Sequence, residues 1–240
     1  MATSLRPRPE AQVCDKTRRA QLFLDAAAQS VQSALDALDL ARDQRRKPDG
    51  SLPQGRLTDG EEDLLRTAIV FAGAGLDSSL KQLIRDALFA LIHVNEDADE
   101  KLTRFTERYL SEGDIGVNPK RLAKILLKGG LALPREAIIA EYISELTGES
   151  LQSVNQVSNV CGALGVNESA LRMRLSKGSP FDKMFVARNQ IVHELDLTER
   201  QSPRTRSKRG RKLNETVEWA SEALSVAQEI LNSVTVSLAR

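Results

Sequence analysis

An all-α fold is what this sequence predicts, and three observations predict it. Apolar residues recur at steps of three and four over long stretches. Aromatic residues make up only 4% of the 240-residue chain, and Gly and Pro number only 14 and 8. A β-sandwich or barrel needs aromatic and β-branched strands with frequent turns, which this composition does not supply. At 41% hydrophobic residues the chain can bury a real core, so wholesale disorder is excluded.

The elements follow in order. Residues 1–15 read as a loose arm. From Lys16 to about Arg45 the apolar set Leu24, Ala28, Val31, Leu35 and Leu38 marks a helix. Arg46 to Arg56, with Lys47-Pro48-Asp49-Gly50 and Pro53, is a loop. Thr58 with Glu61 three residues later forms a capping box, opening a second helix that runs to about His93. Gly73 and Gly75 in its middle permit a bend or a close helix approach. The stretch 96–178 reads as short helices broken by Gly and Pro. Ser179-Pro180-Phe181-Asp182 is a further start signal, opening a helix to about Leu197. A basic loop follows, with Arg200, Arg204, Arg206, Lys208, Arg209, Arg211 and Lys212. The last helix starts at Asn214 as N-cap and carries the seam Val217, Ala220, Leu224, Ala227, Leu231, Val234 and Leu238. No stretch reads as a strand. The expected architecture is two long helices (16–95), a helical insertion (96–178) and two closing helices (179–240).

Charge and cysteine use narrow the function. A formal net charge of +1 excludes a uniformly basic nucleic-acid coat, so any such contact comes from a local patch. Cys14 and Cys161 lie far apart and His93 and His193 are the only histidines, which leaves no disulfide framework and no thiolate or multi-histidine metal cage. No metal or other cofactor is expected. The N-terminus lacks the apolar core of a signal peptide, and no run approaches the roughly 20 apolar residues of a membrane helix. The expectation is a soluble, cytoplasmic protein with no membrane partner.

The helix from Pro180 carries one anomaly. Its apolar stripe runs Phe181, Met184, Arg188, Ile191 and Leu195, so an arginine takes an inward position. A lone charge there is expensive unless it is paired or faces a cleft. Asn189 and His193, four residues apart, share one face, and His193 lies about 140° around from Arg188. One reading pairs Arg188 with a carboxylate on a neighbouring helix and leaves His193 near the surface. The other brings arginine and imidazole together on one anion.

Arg188-Asn189-Gln190-Ile191-Val192-His193 resembles the R-x4-H signature of the HEPN superfamily, in which a polar residue often follows the arginine. The order of two long helices, a motif helix and a closing helix resembles the HEPN four-helix up-and-down bundle. The segment before the motif, with Leu151 to Val160 and Leu164-Gly165-Val166-Asn167, resembles the insertion of the RiboL-PSP type. The resemblance implies a metal-independent endoribonuclease, a toxin or antiphage defence effector, acting as a homodimer in which two motifs face one cleft. It implies RNA, such as tRNA or mRNA, as substrate and an antitoxin or sensor protein as a further partner. Arg188, His193 and Asn189 then form the catalytic set. The chemistry of the residue types agrees: a histidine moves protons near neutral pH, and an arginine holds a phosphate bidentately. The expected products carry a 2′,3′-cyclic phosphate and a 5′-hydroxyl. Arg204, Arg206, Lys208, Arg209 and Arg211 are the expected grip on the RNA backbone, or else a solvated linker.

Other features compete. Leu164 to Leu175 looks like the turn and second helix of a helix-turn-helix, which would make the protein a DNA-binding regulator. A catalytically silent HEPN module serving as scaffold is a third reading. Ala72-Gly73-Ala74-Gly75 lacks the strand and the Lys-Ser/Thr of a phosphate loop and suits close helix packing better. Asp77, Ser78, Lys81 and Arg85 share a helix face and belong either to the cleft or to solvent. His93 complements a helix C-terminus.

Overall fold

The computed structural model describes residues 2–51, 56–112, 116–127, 133–166, 168–198 and 208–240. The expected all-α class is what it has. Helices α1 (Arg18–Asp43), α2 (Asp59–Val94), α8 (Pro180–Glu194) and α9 (Leu213–Leu238) are joined by α3 (Glu96–Leu110), α4 (Pro119–Leu127), α5 (Pro134–Gly148), α6 (Val154–Ala163) and α7 (Glu168–Leu171). Among the described residues the β ladder is a two-residue antiparallel one, Ser111–Glu112 against Gly116–Val117, which periodicity could not reveal. No described helix is long and apolar enough to cross a membrane.

Helix α2 is the axis of the molecule, packed against α1, α8 and α9. Its start follows the sequence signal: the Thr58 hydroxyl accepts from the Glu61 N–H, and the Glu61 carboxylate accepts from the Thr58 N–H at 2.7 Å. Leu65, Leu76, Leu80, Leu83 and Leu88 are fully buried along it. The helix runs unbroken through both glycines. Gly75 meets α1 so closely that a Cβ would lie 2.0 Å from the Ala27 Cβ, and Gly73 faces α8. Arg19 pairing with Asp86, and Arg45 with Glu61, show α1 and α2 antiparallel.

The seam of α9 packs as its period requires. Ala220, Leu224, Ala227, Leu231 and Val234 are wholly buried. The helix begins at Leu213 with Lys212 in the cap position and no side-chain cap, so Asn214 lies inside it and does not cap it. The N-terminal arm, expected to be loose, is tied down. The Leu5 N–H donates to Gln32 of α1, and the Arg6 and Gln12 N–H groups donate to Ser221 and Asn232 of α9. Side chains of two helices satisfy the arm's backbone, a long-range effect invisible to local pattern.

The insertion has a core of its own, continuous with the main one. Phe105 of α3 and Tyr142 of α5 stack with centroids 4.6 Å apart, and α6 contributes Val157, Val160 and Cys161. It is fastened to α2 where the Leu151 N–H donates to Asp77 at 2.7 Å.

Candidate functional site

Helix α8 starts where its signal falls. The Ser179 hydroxyl accepts from the Asp182 N–H at 3.1 Å, and Pro180 takes the first turn. The apolar stripe then leaves the core halfway along. Phe181 and Met184 are fully buried, Arg188 and Ile191 are half-buried, and Leu195 is 71% exposed. The motif therefore sits on the half of the helix that emerges from the protein.

Arg188 lies against α2 because Gly73 leaves room for it: a Cβ there would sit 3.2 Å from the Arg188 Cγ. Its Nη1 donates to the Asn189 Oδ1 at 3.0 Å. Asn189 in turn donates through Nδ2 to the Gln152 carbonyl at 3.0 Å, just before α6. Among the described residues Arg188 has no carboxylate partner, so the pairing expected of a purely structural arginine is not what holds it. Stem packing and a neutral amide fix its position, and no carboxylate among the described residues compensates its charge. Asn189, which shares a helix face with His193, holds Arg188. His193 is exposed and makes no hydrogen bond among the described residues, so the chain brings Arg188 and Asn189 together but does not join them to His193.

Directly after the motif the backbone turns sharply. Leu195 and Asp196 both take left-handed conformations, at φ 51° and 58°, and the helix ends at Glu194 rather than near Leu197. Two such non-glycine residues in a row are held only where surroundings compensate the strain. The compensation here is ionic. Asp196 is wholly buried and accepts from the Arg66 Nε at 2.7 Å, the Arg211 Nε at 3.0 Å and the Arg211 Nη2. Arg66 also reaches Asp63 at 2.9 Å, Glu62 at 3.1 Å and the Arg209 carbonyl at 2.7 Å. Burial works against the Arg66 charge, yet Asp196 and the neighbouring carboxylates hold its pKa above the ordinary value. One buried cluster thus locks together α2, the end of α8 and the entry to α9. Sequence reasoning missed it. A signal existed: Glu62 and Arg66 stand four apart on the core face of α2, the same anomaly as Arg188 on α8.

This clasp changes the picture of the basic loop. Lys208 binds both oxygens of Asp63, at 2.8 and 3.1 Å. The Arg209 Nη1 lies 3.2 Å from a Glu194 oxygen, and Arg211 is buried on Asp196. The three described members of the expected RNA grip are all engaged with carboxylates of their own chain. Arg200, Arg204 and Arg206 lie outside the described residues. An antiparallel bridge pairs Leu197, before that loop, with Lys208 within it.

Between α2 and α8, beside the motif, runs an open trough of about 480 Å3 lined by Arg66, Val70, Phe71, Ile191 and Leu195 among others. Of the helix face that followed the glycines, Asp77 pairs with Lys81 at 3.1 Å and accepts from Leu151, so it belongs to the scaffold. The helix expected after Leu164 is the four-residue α7, with Leu171 buried at its end and Leu175 buried beyond it. The His93 Nδ1 lies 2.7 Å from the Phe89 carbonyl. Compared with known proteins, the chain matches no family model, no curated protein and no solved structure significantly.

Proposed function

We propose that the protein is a metal-independent endoribonuclease of the HEPN type, with α1, α2, α8 and α9 as its four-helix bundle and α3–α7 as the insertion. The observation that carries this reading is Arg188. A half-buried guanidinium, braced by Gly73 and Asn189 and lacking a carboxylate among the described residues, is suited to receive an anion from outside. In the reaction Arg188 holds the scissile phosphate and offsets the charge of the transition state. His193 takes the proton from the attacking 2′-hydroxyl or returns one to the leaving 5′-oxygen.

A single chain does not join the two groups. A homodimer would supply His193 of one copy near Arg188 of the other, and the apolar trough with exposed Phe71 and Leu195 beside the motif offers a surface for it. Such an enzyme in a cell needs restraint, which fits a toxin or antiphage effector held by an antitoxin or sensor. Of the expected backbone grip, Arg204 and Arg206 are the residues this reading retains, because Lys208, Arg209 and Arg211 serve the clasp. The catalytically silent module draws on the same separation of Arg188 from His193. A DNA regulator is disfavoured, since a four-residue α7 is too short to serve as a recognition helix.

The test is incubation of purified protein with total RNA and labelled tRNA in excess EDTA, beside Arg188→Ala and His193→Ala. Cleavage to cyclic-phosphate ends that disappears in both variants supports the proposal. Equal cleavage by all three proteins refutes it. Intact RNA with a well-folded dimer favours the silent module.

A further inference from the structure

The insertion contains a concave surface whose lining cations outnumber its carboxylates. A cavity of about 350 Å3 opens between α3, α5 and α6. Lys101, Arg104 and Arg108 line it, and at 100° per residue they fall within about 60° of one another on α3. Against these three cations the lining holds one carboxylate, Glu145. That carboxylate pairs with Arg108, whose guanidinium is also fixed 5.7 Å from the centre of the Phe105 ring. Arg104 reaches only the exposed Glu100, and Lys101 has no ionic partner among the described residues. Ser158 and Asn159 of α6 add neutral hydrogen-bonding groups. The Tyr142 hydroxyl, pushed up to about 12 chiefly by burial, stays protonated across the physiological range.

The shape limits the ligand. Phe105 and Tyr142 are stacked on each other and only 3% and 6% exposed, so their faces are closed to a nucleobase. What fits is a compact anion held by charge and hydrogen bonds at the mouth. The place matters too, because α6 belongs to both sites. Gln152, two residues before α6, holds Asn189 of the motif, and Ser158 of α6 itself lines the cavity.

We propose that this cavity binds a phosphate group, either one of a single-stranded RNA extending from Arg188 or free phosphate. The RNA source rests on the nuclease reading; the phosphate chemistry does not. The experiment uses the full chain, a labelled single-stranded RNA with 2′-O-methyl groups, which cannot be cleaved by 2′-hydroxyl attack, and inorganic phosphate. Wild type is compared with the double variant Lys101→Ala/Arg104→Ala, which alters only exposed side chains, and with Arg188→Ala. Anisotropy across a salt series reads RNA affinity, and amide NMR of Ser158 and Asn159 reads phosphate. With RNA as the source, the double variant binds about tenfold more weakly, and its slope of log affinity against log salt is shallower by about 0.7. The same loss on adding the two substitutions to Arg188→Ala makes the cavity a contact separate from the motif. Saturable amide shifts with phosphate, absent in the double variant, and unchanged RNA binding identify free phosphate as the ligand. Unchanged RNA binding with no amide shifts overturns the proposal. In the separate assay on unmodified RNA, cleavage that survives Arg188→Ala defeats the nuclease reading while leaving the cavity result intact.

Discussion

Asp196→Asn removes one charge from the centre of the clasp and little else. Asparagine keeps the size and an accepting oxygen, and it tolerates left-handed backbone as aspartate does. The two guanidiniums around it are left unequally placed. Arg66 keeps Glu62 at 3.1 Å, Asp63 at 2.9 Å and the Arg209 carbonyl at 2.7 Å. Arg211, only 9% exposed, keeps Gln190 at 3.1 Å and no carboxylate among the described residues. Removing one partner from a buried ion pair costs about 3–5 kcal/mol, and because Arg66 retains partners the low end, about 3 kcal/mol, is expected. For a chain of this size that lowers the melting temperature by about 6–12 °C. Thermal and urea unfolding followed by circular dichroism measure it. Adding Arg211→Gln, which withdraws the orphaned charge, should restore part of the loss, giving a coupling visible in the double-mutant cycle. Hydrogen exchange should quicken at the amides of 195–197 and 209, where the Arg209 N–H donates to the Asp196 carbonyl at 2.8 Å. A shift below about 2 °C would mean that the cluster is hydrated, and the account of the left-handed turn would fail with it.

Three further outcomes follow from the packing and the charges. Gly75→Ala places a Cβ 2.0 Å from that of Ala27, so it should destabilise by about 3 kcal/mol in urea unfolding, and Ala27→Gly in the same chain should recover most of it. Full stability of Gly75→Ala alone would contradict the close approach of α1 and α2. Gly73→Ala crowds the Arg188 Cγ at 3.2 Å; stability should change by under about 1 kcal/mol while RNA cleavage drops about tenfold, and unchanged cleavage would separate Gly73 from the site. The hydrogen bond from Lys208, and after it the Lys208 and Arg66 charges, hold the Asp63 carboxyl below its ordinary 3.8, against the pull of burial. A depressed carboxylate stabilises the fold above its unfolded pKa and loses that contribution as pH falls through the folded value. The urea midpoints of wild type and Asp63→Asn should therefore converge as pH drops below 3.8, and a constant gap from pH 7 to pH 2 would remove Asp63 from the clasp.

Local rules account for the elements that local forces make. The Thr58–Glu61 box, the Ser179-Pro180 start and the seam of α9 each depend on neighbours within one or two turns, so all three were legible. Arg188 stood out because an arginine in an apolar stripe breaks a periodicity that the sequence displays. The boundaries that moved did so for tertiary reasons. Helix α8 stops at Glu194 because Arg66 and Arg211, from 130 residues before Asp196 and 15 residues after it, hold a left-handed turn there. The arm is fixed by α1 and α9 from Thr3 to Gln12, and nothing within the arm itself encodes that.

The sequence by itself determined the helical class, the order of the long helices, the start of the motif helix and the residue types of the candidate site. Those follow from periodicity and capping, which act over a few residues. Only the tertiary structure decided the rest. It left Arg188 without a counter-charge among the described residues, turned Asn189 towards it, left His193 exposed, and gave Lys208, Arg209 and Arg211 to the acidic side chains of their own chain. The reason is physical: whether a charge is free or paired depends on what lies within about 4 Å, and those neighbours come from helices far apart along the chain.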